Sequence, residues 1–225
     1  MIPWQTIDRA MVPGKETELI FRRRGGEFSI QVAGTELMNS RAHGSEEALA
    51  RLCLEKIHQK ENQRILIGGL GMGFTLAAAL EHSPMDASCV VAELVPEIIS
   101  WNNEHLGHLA GNPMEDPRAE AMVVDVAEEI RRKQGAWHAI LLDVDNGPTG
   151  LTQRSNNRLY NKAGLKAAFR ALVPGGVFGV WSAGDDPDFT RSLKKCGFQA
   201  RTFSVPARRS GKGGRHTIWV AEKPV

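Results

Sequence analysis

At 225 residues, 42% of them apolar and 24% charged, the chain has the size and make-up of one large α/β unit with a small appendage, able to bury roughly 70% of its unfolded surface. A formal net charge of +2 gives no general attraction to nucleic acid or to a membrane, so an electrostatic partner has to be read from local clusters. Cys53, Cys89 and Cys196 are widely spaced in apolar or amphipathic runs and suggest neither a disulfide framework nor a zinc site; with no leader-like N-terminus and no apolar run of about 18 residues, a cytoplasmic protein with buried free thiols and no metal is expected.

In chain order, strands are expected from Thr17 to Phe21 and from Glu27 to Val32, the second alternating Phe28, Ile30 and Val32 with Glu27, Ser29 and Gln31. Gly25-Gly26 turns between them, and a third strand runs from Thr35 to Met38. Residues 1–42 are thus expected to form a small antiparallel β region, and residues 43–225 the main domain. Ser45 is expected to cap a helix whose first turn carries Glu46 and Glu47 and whose apolar stripe is Leu49, Leu52, Cys53 and Ile57.

From Arg64 onward strands and helices alternate. Strands are expected from Ile65 to Ile67, Ala87 to Leu94, Glu120 to Val124 and Trp137 to Leu142, with helices from Phe74 to Leu80, Pro96 to about Leu106, Ala127 to Lys133 and about Arg158 to Leu172. Further strands near Val177 to Trp181, Phe198 to Val205 and Thr217 to Ala221 finish the chain. Continuous apolar runs such as Cys89-Val90-Val91-Ala92 and Ala139-Ile140-Leu141-Leu142 argue a mostly parallel α/β sheet of seven strands with helices on both faces. Ligands of such sheets bind beyond the carboxyl ends of the strands.

The stretch Ile65-Leu66-Ile67-Gly68-Gly69-Leu70-Gly71-Met72-Gly73 reads as strand and tight turn opening onto a helix. Glycines there let the backbone take positive φ and approach a ligand closely, while the helix start offers free N–H groups. Gly69-x-Gly71-x-Gly73 does not fit the G-x-G-x-x-G of dinucleotide sites, whose third glycine would fall on Phe74; it fits the closer-spaced glycines of proteins that bind an adenosyl sulfonium. A turn of this kind also occurs for packing reasons alone.

Acids stand at three strand ends. Glu93 can accept from both hydroxyls of a ribose, or it is a solvated loop acid. Asp125 can accept from an adenine amino group, can cap the following helix together with Glu128, or can do both. Asp143 and Asp145, in Leu142-Asp143-Val144-Asp145-Asn146-Gly147-Pro148, follow the most apolar strand, where desolvation and mutual repulsion raise at least one pKa, as a base or amine-holding group requires; the bland reading is an Asx turn.

These residues resemble the spermidine synthase family of polyamine aminopropyltransferases, over a stretch from about Glu27 to the C-terminus. Ile67-Gly68-Gly69-Leu70-Gly71-Met72-Gly73 is similar to the family's I-G-G-G-D-G-G, and the Asp143-to-Pro148 stretch to its D-S-S-D-P-x-G-P catalytic loop; Leu159-Tyr160 and Pro174-Gly175-Gly176 follow the family's order. The resemblance implies a Rossmann-like, class I methyltransferase-type fold behind a small β domain. It also implies nucleoside binding through Gly69, Gly71, Gly73, Glu93, Asp125 and Asp143, with catalysis by Asp143 or Asp145. Gly71 departs from the family's amine-binding Asp, and Ser45-Glu46-Glu47 from its Tyr-His/Gln-Glu.

The missing acid tilts the expectation toward methyl transfer from S-adenosylmethionine, whose own carboxylate an Asp at position 71 would repel; aminopropyl transfer from decarboxylated S-adenosylmethionine to a polyamine is the alternative. A non-catalytic nucleoside-binding module and a nicotinamide oxidoreductase are weaker readings. Between two C-terminal strands, Arg208, Arg209, Lys212 and Arg215 form a basic loop that suits an anionic ligand if it folds over the site and is otherwise a mobile solvated hairpin loop. Without interleaved aromatics it argues poorly for nucleic acid, so a small-molecule acceptor is the expected partner, no membrane is involved, and a homodimer is compatible with the sequence.

Overall fold

The computed structural model describes residues 2–144, 157–211 and 213–225, and the expected Asp145 therefore lies outside the described residues. The first four strands, β1 (Gln5–Met11), β2 (Glu18–Arg24), β3 (Glu27–Val32) and β4 (Thr35–Asn39), form an antiparallel meander in that order. Alternation in β2 and β3 puts Leu19, Phe21, Phe28, Ile30 and Val32 on a buried face. That face packs on α3 (Pro96–Trp101): Phe21 stacks on Trp101 at 4.9 Å, and Trp101 Nε1 donates to Asp8 at 2.7 Å. β1 has no counterpart among the expected strands.

The main sheet contains β5 (Arg64–Gly68), β6 (Ser88–Glu93), β7 (Ala119–Val123), β8 (Trp137–Leu142), β9 (Leu172–Ser182), β10 (Gln199–Pro206) and β11 (Arg215–Glu222), in the order β10-β11-β9-β8-β5-β6-β7. Only β11 runs against the rest, so the expected seven-stranded, mostly parallel sheet is borne out. Ile65, Ile67, Ala139, Leu141 and Val177 face one core, and Leu66, Ile140, Leu142, Phe178 and Val180 the other, which is why these strands read as unbroken apolar runs. Chain order reverses at β5, between β8 and β6, and a crevice opens at that switch point.

The helices are α1 (Gly44–Leu54), α2 (Phe74–Glu81), α3, α4 (Val126–Arg132), α5 (Asn157–Tyr160), α6 (Lys162–Ala171) and α7 (Pro187–Lys195). Several differ from expectation. Ser45 does not cap α1: His43 takes the cap position without a side-chain bond, and the Ser45 hydroxyl is buried within the protein. The helix expected to reach Leu106 changes after Trp101 into a π turn, Asn102–Leu106. The one expected to run from Arg158 is broken at Asn161, whose side chain accepts from Gly164 N at 2.9 Å and so begins α6 anew. α7 was not expected, although Asp186 caps it through Asp188 N and Phe189 N and Pro187 supplies its first position. The cysteines are free, Cys53 and Cys89 buried but Cys196 only partly so. Among the described residues no helix is long and apolar enough to cross a membrane.

Candidate functional site

The turn after β5 holds Gly69, Gly71 and Gly73 at φ of +82°, +54° and +84°, a backbone path that L side chains resist. Buried Asn102 fixes it by donating to Gly71 O at 2.8 Å and to Ile98 O at 2.9 Å, so the π turn after α3 and the glycine turn are one unit. Above Gly71 stands Met38 of β4, whose sulfur lies 3.2 Å from where a Cβ would be.

A cavity at the carboxyl ends of β5 to β8 is lined by Gly69, Gly71, Glu93, Asp125 and Asp143. The structure therefore gathers these acids on one sheet edge, as expected. Its apolar walls include Leu37, Val95, Ile98 and Val126. Glu93 is buried and oriented by two backbone donors, Leu70 N to Oε2 and Val95 N to Oε1, both 2.8 Å, which rules out a solvated loop acid. Asp125 does cap α4, accepting from Ala127 N at 2.8 Å, and its other oxygen pairs with Arg158. Glu128 does not complete a capping pair; it lies 3.5 Å from Arg132 on its own helix.

Asp143 follows β8 and accepts from the Thr75 hydroxyl of α2 at 2.6 Å. Burial pushes its carboxyl above the ordinary range, and the Thr75 bond opposes this. The expected repulsion between acids is present, with a different neighbour among the described residues. Glu46 of α1 is raised still further, first by burial and then by the charge of Asp143. Two carboxyls facing one space cannot both ionise freely, so the pair holds a proton into the neutral range.

A second cavity begins at the same place. It shares Leu37, Met38, Gly71 and Asp143 with the first and continues past Glu46 and Phe74 to Trp181, Arg208 and His216. Ser45 organises its floor: Trp181 Nε1 donates to Ser45 Oγ at 2.9 Å, and Ser45 Oγ is also hydrogen-bonded to Glu46 at 2.6 Å and to His216 Nδ1 at 2.8 Å. Sequence reasoning missed Met38, Thr75, Asn102 and Trp181; of the residues added here, Ser45-Glu46 had carried a signal as the place where the family pattern changes, and Arg208 and His216 as the two ends of the basic loop expected to suit an anion if it folds over the site.

No protein-family model matches the chain. It is 24% identical over 153 residues to the polyamine aminopropyltransferase of Thermotoga maritima, covering 68% of this chain and 49% of that one, and 24% identical over 195 residues to that of Aeropyrum pernix, covering 79% and 59%. The chain thus spans about half the length of the curated relatives it matches. Among solved structures, the spermidine synthase from Thermotoga maritima matches with a TM-score of 0.75 at 20% identity, over 98% of this chain and 74% of that one. A spermidine synthase in complex with the transition-state analogue AdoDATO matches with a TM-score of 0.74 at 18% identity, over 98% and 73%. The resemblance read from the sequence is borne out in sequence similarity and in fold; at these identities the structural likeness speaks for the fold alone.

Proposed function

We propose that the chain catalyses aminopropyl transfer from decarboxylated S-adenosylmethionine to a small amine. The observation that carries this reading is the junction of two cavities at Gly71, Met38 and Asp143, with a proton-sharing acid pair beside it. The names of the relatives support it too, and they lend no support to the methyl transfer favoured by the sequence alone.

The first cavity fits a nucleoside: Gly69 and Gly71 present bare backbone on its wall, and an oriented buried carboxylate suits a ribose diol. Glu93 takes the two hydroxyls, Val95, Ile98 and Val126 flank the base, and Asp125 stands at the adenine end while capping α4. Bound there, the donor supplies a sulfonium whose neighbouring carbon is open to attack by nitrogen.

In the second cavity Asp143 and Glu46 hold the amine, and Asp143 is the first candidate to accept its proton. The C–N bond forms as the C–S bond breaks, the electron pair returns to sulfur, and the proton on the new ammonium passes to the carboxylate. A sulfonium beside Asp143 lowers that carboxyl's pKa again, so the base is ionised when the donor is in place. Asp145 is the other candidate base.

A second reading, methyl transfer from S-adenosylmethionine, draws on one observation: the space beside Gly71 meets a thioether instead of a carboxylate. Product analysis separates the two. Incubation with each donor and a panel of small amines should release methylthioadenosine from the decarboxylated one. Release of S-adenosylhomocysteine from the intact donor, with no methylthioadenosine, would overturn the proposal.

A further inference from the structure

The basic segment after β10 is not a free hairpin tip at its base. Gly44 N donates to Ala207 O and Ala207 N to Gly214 O, both at 2.9 Å, and Arg209 Nε reaches Glu47 Oε2 at 2.6 Å. The approach is so close that a Cβ on Gly44 would lie 2.8 Å from Arg208 C and Arg209 N. These contacts hold Arg208, Gly213 and Gly214 against the second cavity, with the Arg208 side chain running along Gly213.

The charges of that cavity are then of two kinds. Glu46 and Asp143 both line it and repel each other when ionised. Of the other nearby acids, Glu47 is held by Arg209 and His43, and Glu36 by Ser29 and Asn39. The Arg208 side chain has no hydrogen bond or ion pair among the described residues, and the half-buried His216 ring, which lines the same cavity, is kept neutral by burial while bonded to Ser45. An amine with a second ammonium at its far end would bring like charge to a guanidinium, whereas an amine with a far carboxylate meets acid at one end and a five-donor fork at the other.

We propose that the acceptor is an amine bearing a carboxylate, an amino-acid-like molecule, with Arg208 binding the carboxylate and Glu46 and Asp143 receiving the amine. This rests on the amine-transfer reading of the preceding section, and it is tested by binding as well as by turnover.

The test compares putrescine, ornithine (which is putrescine with a carboxylate added) and 4-aminobutyrate. Each is titrated calorimetrically into protein saturated with methylthioadenosine, and each is assayed for methylthioadenosine release from the decarboxylated donor. The carboxylated amines should bind at least tenfold more tightly than putrescine. Arg208→Ala should remove that preference, Arg208→Lys should restore part of it, and methylthioadenosine affinity should stay the same in both, which checks the fold. Tighter binding of putrescine by the wild type, or an equal loss for all three amines in Arg208→Ala, overturns the proposal. So does a loss in Arg208→Ala of S-adenosylmethionine affinity with none for the amines, which would give the guanidinium to the donor. Carboxylate-dependent binding without any methylthioadenosine release would leave this inference standing and sink the transfer reaction instead.

Discussion

Replacing Glu46 by Gln keeps the shape of the side chain and a partner for Ser45 but removes one charge from the acid pair. Glu46 gives up its proton near 4.5 in an unfolded chain and only at about 8 in the folded one, through burial first and Asp143 second. A folded pKa above the unfolded one means that the native state binds more protons, so the stabilisation is complete below 4.5 and is lost as pH rises through about 8. The interval is about 3.5 pH units, and at about 1.36 kcal/mol per unit the ceiling is about 5 kcal/mol. Part of this is repulsion that belongs equally to Asp143, and Glu46 borders a cavity open to solvent, so roughly 2 kcal/mol is the working figure. For a chain of this size that is about 4–8 °C in Tm. Thermal unfolding followed by circular dichroism from pH 5 to pH 9 should show the wild type losing this much relative to Glu46→Gln. Parallel Tm curves for the two proteins would refute the buried acid pair.

Glu93→Ala should weaken methylthioadenosine binding at least tenfold by calorimetry, and it should also lower Tm, because the N–H groups of Leu70 and Val95 lose their acceptor at a cost of roughly 1–3 kcal/mol; unchanged affinity in a folded variant would put the ribose elsewhere. Asp143→Asn should cut turnover by about 10²–10⁴-fold while changing nucleoside affinity little; retained turnover in a kinetic assay would pass the role of base to Asp145. Gly71→Asp, which restores the family's acid, should destabilise the fold by roughly 1–3 kcal/mol in denaturant titrations, since φ there is +54° and Met38 crowds the new Cβ; a variant as stable as wild type would show that the turn relaxes freely.

What the sequence disclosed and what it hid divide along physical lines. Two-sided burial writes itself into continuous apolar strands, so β5, β6 and β8 and the acids that end them could be found by reading along the chain. β1 could not, because only Ala10 of its seven residues is buried and no alternation marks it. α7 was overlooked despite Asp186-Pro187, a cap-and-first-turn pair, with Phe189 and Leu193 inward at helical spacing. Ser45 has the right residue type for a cap, but Trp181 and His216 draw its hydroxyl inward, and both come from strands far along the chain. The meeting of Glu46 with Asp143 likewise depends on how α1 and β8 pack, which no local pattern records. Asp145 remains a sequence-based proposal.

Met38 and Leu37 belong to a strand of the N-terminal meander, yet they wall both cavities. That meander is tied through Phe21, Trp101 and Asp8 to α3, the helix that follows Glu93 and whose π-turn extension anchors Gly71. A partition shared by two chambers cannot move for one occupant without moving for the other. If the proposed donor and acceptor fill these two chambers, whatever factor the first bound lends to the affinity of the second must be returned in equal measure when the order is reversed.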